Sequence, residues 1–401
     1  MRKILVLGGA EAQVPLIQAA KNEGYYVVLC DWTTSNPGIA LADKHYQVST
    51  LDLDAVLKVA SEECVNGVIS NSEPAMINVA KIATELKLIG NSAESVDCLQ
   101  SKNSFRNLQK KLDIFSPKSF ECNNIEDFWM FCDTIYYPVV VKPSKSSGTR
   151  GTTVFKRFEK DLMEKAFLEC AEFSTNNNVT VEEYVEMPSL DVIEGDVFIH
   201  GGRFWWDGIF TTKRSKDASM IPMTYIFPAV LRDEELKEIQ ITIEKIFAGA
   251  GITHGEFNVE LYFTKKREVF CIEINTRQGG KGLPEMIEKH CGVNMYKLLV
   301  TTAMGDDSYW NDIHNTTLKK KFVTRHLVFG HSEGVYDGLD ITDDVKPYIT
   351  NIKNTEKKGK ELMPARNATD CLAWIDMAFG DRSNQLRISE AAETYIKPRI
   401  Q

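Results

Sequence analysis

The chain has 401 residues, enough for two or three domains of about 150 residues each. It is 43% hydrophobic and 26% charged, which excludes whole-chain disorder. Its 47 Lys+Arg against 56 Asp+Glu give a net charge of −9, which argues against a general nucleic-acid binder but leaves room for a local basic pocket. The apolar runs, such as Ile4–Leu7 and Pro138–Val141, are strand-sized and well short of the roughly 20 residues a bilayer requires. Gly8-Gly9 stands where a secretion signal would continue its apolar core, and the nine scattered cysteines make no C-x-x-C pair. The expectation is a cytoplasmic protein with reduced thiols, no disulfide framework, no zinc site, and neither nucleic acid nor membrane as partner.

In chain order, Ile4–Leu7 reads as a strand followed by a helical pattern through Ala20. Tyr26–Cys30 is a second strand ending at Asp31, Leu53–Glu63 a helix, Gly67–Ser70 a third strand and Val79–Leu86 a helix. Strands separated by helices of this length predict βαβ units, a parallel sheet and a Rossmann-like first domain over 1–101. From Ser101 the pattern changes. A helix runs from there to about Asp113, Tyr137–Lys142 is a strand stopped by Pro143, and a polar segment, Ser144–Thr152, precedes Thr153–Phe155. Thr180–Val185 is a strand. Val192–His200 and Arg203–Phe210 flank Gly201-Gly202 as a hairpin, and Phe257–Phe263 and Glu268–Asn275 form another across a charged turn. Met286–Met304 reads as helical and closes a second domain over 102–305. In the C-terminal region, 306–401, Phe322–Phe329 is an expected strand, Asn351–Glu361 exposed loop and Asp370–Phe379 an expected helix. The fold class is α/β followed by α+β.

Three segments carry chemistry. In Asn258-Val259-Glu260 and Ile272-Glu273-Ile274-Asn275-Thr276-Arg277, alternation turns Glu273 and Asn275 to one face and Ile272 and Ile274 to the core. A hairpin brings Glu260 opposite them. Two carboxylates and an amide oxygen make a hard-oxygen site suited to Mg²⁺. The following Gln278-Gly279-Gly280-Lys281-Gly282 is a run that brings backbone close to something at the site. Next, Val139–Lys142 ends in a lysine before the small-residue loop Ser144–Thr152, a phosphate cradle in which Lys142, Lys145 and Arg150 supply charge, although no G-x-x-x-x-G-K-[ST] loop is present. Finally, Val181-Glu182-Glu183-Tyr184-Val185 offers an extended backbone that could bond an adenine edge. An ordinary strand is the simpler account of that segment taken alone.

The order of these residues, from Lys102 through Lys142 and its loop, Glu182–Val185 and Glu260 to Glu273-Ile274-Asn275-Thr276-Arg277, resembles the ATP-grasp superfamily over roughly 1–305. The branch is the one containing biotin carboxylase, carbamoyl-phosphate synthase, the purine-pathway ligases and the L-amino-acid ligases. The resemblance implies a Rossmann-like domain before two ATP-gripping α+β subdomains, with a lid subdomain at about 143–212. It implies ATP, with Lys102 and Lys142 on its phosphates, and Lys145, Ser147, Gly148, Arg150 and Gly151 in a loop closing over them. Glu182 and the backbone of Glu183 and Val185 would hold adenine and ribose. Glu260 and Glu273 would bridge two Mg²⁺ ions (or Mn²⁺), with Asn275 on the second, and Arg277 would stabilise an acyl phosphate and its tetrahedral successor. The implied reaction joins a small-molecule carboxylate to an amine, releasing ADP and phosphate. Relatives of this kind are often dimers, which makes a homodimer one candidate assembly and leaves the oligomeric state open. Asp191 and Glu194 are both candidates for the ribose or a loop lysine.

The chain departs from this pattern in places. The loop is serine-rich where many relatives are glycine-rich. Biotin carboxylases follow the arginine with a Gln-Val-Glu-His run whose Glu is the base toward bicarbonate. Gln278-Gly279-Gly280-Lys281 stands here instead, which resembles the peptide-forming ligases. Glu73, Arg214, Gly279 and Gly280 are the candidate substrate contacts, with Lys213–Lys216 read as a basic turn. A bicarbonate-using or carbamoyl-type enzyme and a purine-pathway ligase remain as alternatives. So does a nucleotide-binding protein without ligase activity: Gly8-Gly9 with Asp31 imitates a dinucleotide site but lacks G-x-G-x-x-G.

Overall fold

The computed structural model describes residues 1–145, 151–215 and 221–401. Near-continuous apolar runs make the first four strands: β1 (Lys3–Leu7), β2 (Tyr26–Asp31), β3 (Lys44–Gln47) and β4 (Gly67–Ile69). They pair in parallel in the order β3-β2-β1-β4. Ile4 and Val6 pack to one side of the sheet, Leu5 and Leu7 to the other, so both faces are buried as parallel sheets require. Helices α1 (Val14–Asn22), α2 (Leu53–Glu62) and α3 (Met76–Glu85) follow three of these strands. The edge strand β3, Lys-His-Tyr-Gln, has no apolar run and no sequence signal. Asp31 accepts the Gly9 N–H at 2.6 Å and the Asn36 amide at 2.8 Å. The carboxylate that imitated a ribose contact is therefore engaged internally.

Helices α4 (Ala93–Gln100) and α5 (Lys102–Lys111), joined at Ser101, lead into a second unit. Strands β5 (Ser119–Cys122), β6 (Val139–Pro143), β7 (Thr153–Phe155) and β8 (Val179–Glu183) form an antiparallel sheet in the order β5-β8-β6-β7. Helices α6 (Ile125–Cys132) and α7 (Lys160–Phe173) bury Phe128, Met163 and Phe167 against it. This unit starts and ends earlier than the lid expected at about 143–212. The strands spanning Asp191–His200 and Arg203–Arg214 belong to another sheet.

That third sheet has eight strands. Its members are β9 (Asp191–His200), β10 (Arg203–Arg214), β11 (Pro222–Phe227), β12 (His254–Phe263), β13 (Val269–Asn275) and β14 (Phe322–Phe329), and then, beyond β15 (Gly334–Ile341), β16 (Ile349–Asn354) and, beyond β17 (Glu361–Leu362), β18 (Cys371–Phe379). The order is β13-β12-β9-β10-β11-β14-β18-β16, while β15 pairs with β17 and with β19 (Ile396–Ile400). The region 306–401 is thus continuous with the central sheet: β14 pairs with β11 in the register Thr224↔His326. The expected helix at Asp370–Phe379 is the strand β18. A short apolar run buried on both faces carries no period that separates helix from strand. Part of the expected loop Asn351–Glu361 is the exposed edge strand β16.

Helix α8 (Asp233–Ala250) was not expected, yet Ile239, Ile243, Ile246 and Phe247 make a clear helical stripe against β12 and β13. It ends at Gly251, whose φ of +75° suits glycine. The expected helix Met286–Met304 is two, α9 (Leu283–Cys291) and α10 (Met295–Ala303), broken at Gly292. Helices α11 (Ser308–Asn315) and α12 (Arg382–Glu390) complete the cover. No helix among the described residues is long and apolar enough to cross a membrane.

Candidate active site

A cavity of about 330 Å³ lies between the β5–β8 sheet and the eight-stranded sheet. Lys102, Lys142, Glu182, Glu183, Val185, Glu260, Glu273, Asn275, Arg277, Gly279, Gly280 and Arg214 all line it, so residues 178 positions apart in sequence meet in one place. Glu194 lines it as well. Asp191 pairs instead with Lys213, 3.1 Å away, which separates the two candidates left open by the sequence. Ser147, Gly148 and Arg150 lie outside the described residues. Lys145 pairs with Asp97 of α4 and is not part of the lining, and Gly151 accepts the Cys170 thiol at 2.8 Å.

The acidic pair comes from the β12–β13 hairpin. Asn258 is opposite Asn275 and Glu260 opposite Glu273, but Leu261 is opposite Cys271. The extra residue is a bulge at Ile272, which turns Ile272 into the cavity wall rather than the core. Strict alternation had placed it in the core with Ile274, which is buried. Asn275 donates its amide to Glu273 at 3.2 Å. Glu260 is pushed up to about 8, first by burial, with Arg214 opposing. Arg214 bonds Glu260 at 2.5 Å and Glu194 at 2.8 Å. It lies within β10 rather than in a basic turn, and Lys213 beside it pairs with Asp191 and Glu390.

Lys142 is buried, and its ammonium bonds the Glu182 carboxylate. Burial brings it down to about 8, so it stays cationic at neutral pH. Burial alone would raise Glu182, but Arg106 and Lys142 override it and hold it at about 2. Glu182 is thereby engaged by two cations while it lines the cavity. Arg106 was not anticipated. It is buried on α5, bonds Glu182 at 3.2 Å, and donates to the carbonyls of Cys271 (3.2 Å) and Ile272 (2.9 Å). The available signal was an arginine on the apolar stripe of that helix, with Phe105, Leu108 and Gln109. Tyr262, also unanticipated, donates its hydroxyl to the Val185 carbonyl at 2.5 Å and fixes the chain between the two sheets. Burial lowers Lys102, against attraction from Glu273 and Glu182.

Arg277 forms an ion pair with Glu73 at 3.0 Å. Glu73, a candidate substrate contact, instead stands behind the arginine from the first unit, where Gln100 donates to it at 3.2 Å. Burial raises it. Gly279 and Gly280 differ. A Cβ on Gly279 would sit 2.2 Å from Leu283 Cδ2, whereas Gly280 faces open space. The loop is held from behind by Arg325, which donates to the carbonyls of Lys281 (2.5 Å) and Gly282 (2.9 Å) and pairs with buried Asp376 at 2.6 Å.

Residues 135–285 match the family model described as ATP-grasp domain. These residues form an ATP-grasp domain. The match contains Lys142, Glu182, Glu260, Glu273, Asn275 and Arg277, while Lys102 precedes it. The L-amino acid ligase from Bacillus licheniformis superposes over 100% of this chain and 99% of its own, with a TM-score of 0.78 at 18% identity, so the two share one overall α/β fold. Among curated relatives, the carbamoyl phosphate synthase large chain of Clostridium acetobutylicum is 26% identical over 294 residues, 72% of this chain but 27% of that protein. The chain thus spans about a quarter of that relative's length. The alanine–anticapsin ligase of Bacillus subtilis is 23% identical over 305 residues, 71% of this chain and 63% of its own.

Proposed function

We propose that the protein is an ATP-dependent carboxylate–amine ligase that forms an amide or peptide bond through an acyl phosphate, with ADP and phosphate as products. The observation that carries this reading is the meeting of Lys102, Lys142, Glu260, Glu273, Asn275 and Arg277 on one cavity between two sheets. Lys102 and Lys142 would bind the triphosphate, and the backbone of Glu183 and Val185 the adenine. Glu182, clamped by Arg106, would aim the Lys142 ammonium. Arg277, steadied by Glu73, would stabilise the oxyanion when the amine attacks the acyl carbon. Gly280 leaves space beside it for the two substrates. The cavity between the sheets would exclude the water that hydrolyses an acyl phosphate.

Glu260, Glu273 and the Asn275 amide oxygen are hard donors whose chemistry fits Mg²⁺. Among the described residues no group of three or more His, Cys, Asp and Glu could hold a metal alone, so phosphate oxygens would complete the shell. When bound, the ion would neutralise charge on the transferring phosphoryl group.

The test is a hydroxylamine trap with ATP, Mg²⁺ and a library of carboxylic acids. The expected result is an acid-dependent hydroxamate formed together with ADP, lost in Glu273→Ala while the circular dichroism spectrum is unchanged. Undiminished ADP formation in that variant would sink the assignment of Glu273.

A further inference from the structure

Behind the loop that carries Arg277 lies a second set of acids. Asp196 on β9 and Glu256 on β12 are almost fully buried and are diagonal neighbours on one sheet face, because Asn258 is opposite Asp196 and Glu256 opposite Phe198. Both hold the same loop. Both Asp196 oxygens lie 3.0 Å from the Gly279 nitrogen, and Asp196 also accepts the Asn258 amide at 2.9 Å. Glu256 Oε2 accepts the Gln278 amide at 2.7 Å. Glu256 Oε1, by contrast, is buried without a hydrogen-bond donor. A buried carboxylate oxygen without a donor is costly, and so are two adjacent buried anions. One proton removes both problems.

We propose that Glu256 is a neutral carboxylic acid whose hydroxyl donates to Asp196, and that this one-proton pair is the latch positioning Gln278–Gly280 and, with them, Arg277. The importance of Arg277 rests on the ligase reading, but the latch itself does not. The proton count follows from the partners: Asp196 receives N–H donors and the Glu256 hydroxyl, while Glu256 still receives Gln278. Burial, the first cause, and the second carboxyl both raise Glu256. Among the described residues, the charged or titratable groups that face the pair include Arg277, on the loop, and Tyr296 of α10, which bonds Glu285 of α9. His200 and His254 lie at the far end of the same face and interact with each other. Loss of the proton at alkaline pH would leave two anions in contact and release the loop.

The test uses the full chain without ligands. Infrared difference spectra between wild type and Glu256→Gln at neutral pH should show a carboxylic-acid carbonyl band in the wild type only. A difference confined to carboxylate bands would overturn the protonation. Hydrogen exchange of the peptide spanning 277–282 reads the latch. Relative to intrinsic exchange, the wild type should lose protection as pH rises, and Glu256→Gln, whose amide donates permanently to Asp196, should retain it. Glu256→Leu should be unprotected at every pH. Identical pH dependence in wild type and Glu256→Gln would refute the latch. Failure of the hydroxamate trap, with these results intact, would refute only the ligase reading.

Discussion

Arg106 does not line the cavity, yet it bonds Glu182 and the Ile272 carbonyl, two residues that do. Without its guanidinium, Glu182 keeps only Lys142, and the Ile272 carbonyl loses the Arg106 donor, while the Cys271 carbonyl keeps the Gln109 amide. Arg106→Met should therefore weaken binding of a non-hydrolysable ATP analogue about tenfold or more and lower the melting temperature, by titration calorimetry and calorimetric unfolding. The two loop glycines separate packing from access. Gly279→Ala forces a Cβ into Leu283 and should cost about 1–3 kcal/mol in urea unfolding, whereas Gly280→Ala meets nothing and should leave the midpoint unchanged. Lys142 supplies the pH dependence. With its pKa brought down to about 8, hydroxamate formation should fall as pH rises through that value, and Lys142→Met should be slow throughout. A Lys142→Met rate equal to that of the wild type below pH 8 would contradict the role of Lys142.

At the scale of elements, the loop is positioned by strands that arrive late in the chain. Arg325 on β14 and Asp376 on β18 are buried partners that hold Lys281 and Gly282. Removing one leaves an uncompensated buried charge, so Asp376→Leu should cost about 3–5 kcal/mol in chemical unfolding, and Arg325→Met/Asp376→Leu together should cost less. None of this was legible in the sequence. Charged residues in a strand read as a solvated face unless their partner is known, and the two lie 51 positions apart. The β12–β13 hairpin was legible because its alternation and its acidic residues agree, and it brought Glu260 opposite Glu273 as expected. What alternation missed there was the bulge at Ile272, since one inserted residue leaves no mark on composition. Helix α8 was a missed opportunity: its stripe of Ile239, Ile243, Ile246 and Phe247 was present in the sequence. Strand β18 was not, because an apolar run of nine residues fits a buried helix equally well.

Across the whole molecule, the eight-stranded sheet ties the cavity to the C-terminal strands. Trp310, Leu327 and Phe329 share one core with Phe198, Phe210 and Phe227. A chain ending at residue 305 would expose β11 as an edge and open that core, so it should lack a cooperative calorimetric transition. A folded, cooperative fragment would contradict the continuity of the sheet. His326 sets an acid limit within the same core. Burial lowers it to about 4 from an ordinary value near 6.5. Between those values the unfolded chain binds a proton that the folded chain does not, so stability falls as pH drops through this window, by up to about 3 kcal/mol. His326→Gln should flatten that limb in unfolding curves measured from pH 7 to pH 4. The net charge of −9 takes on structure at this scale too. Part of the acidic excess lies on one sheet face, in Glu194, Asp196, Glu256, Glu260 and Glu273, of which Asp196 and Glu256 are buried and Glu194 and Glu260 pair with Arg214.

Activation of a carboxylate as its acyl phosphate is read out by isotope transfer. The acid found by the hydroxylamine trap is labelled with ¹⁸O in its carboxylate and turned over with ATP and an amine. Each inorganic phosphate released should carry one ¹⁸O atom. Unlabelled phosphate accompanying amide formation, or label appearing in AMP, would contradict activation as the acyl phosphate.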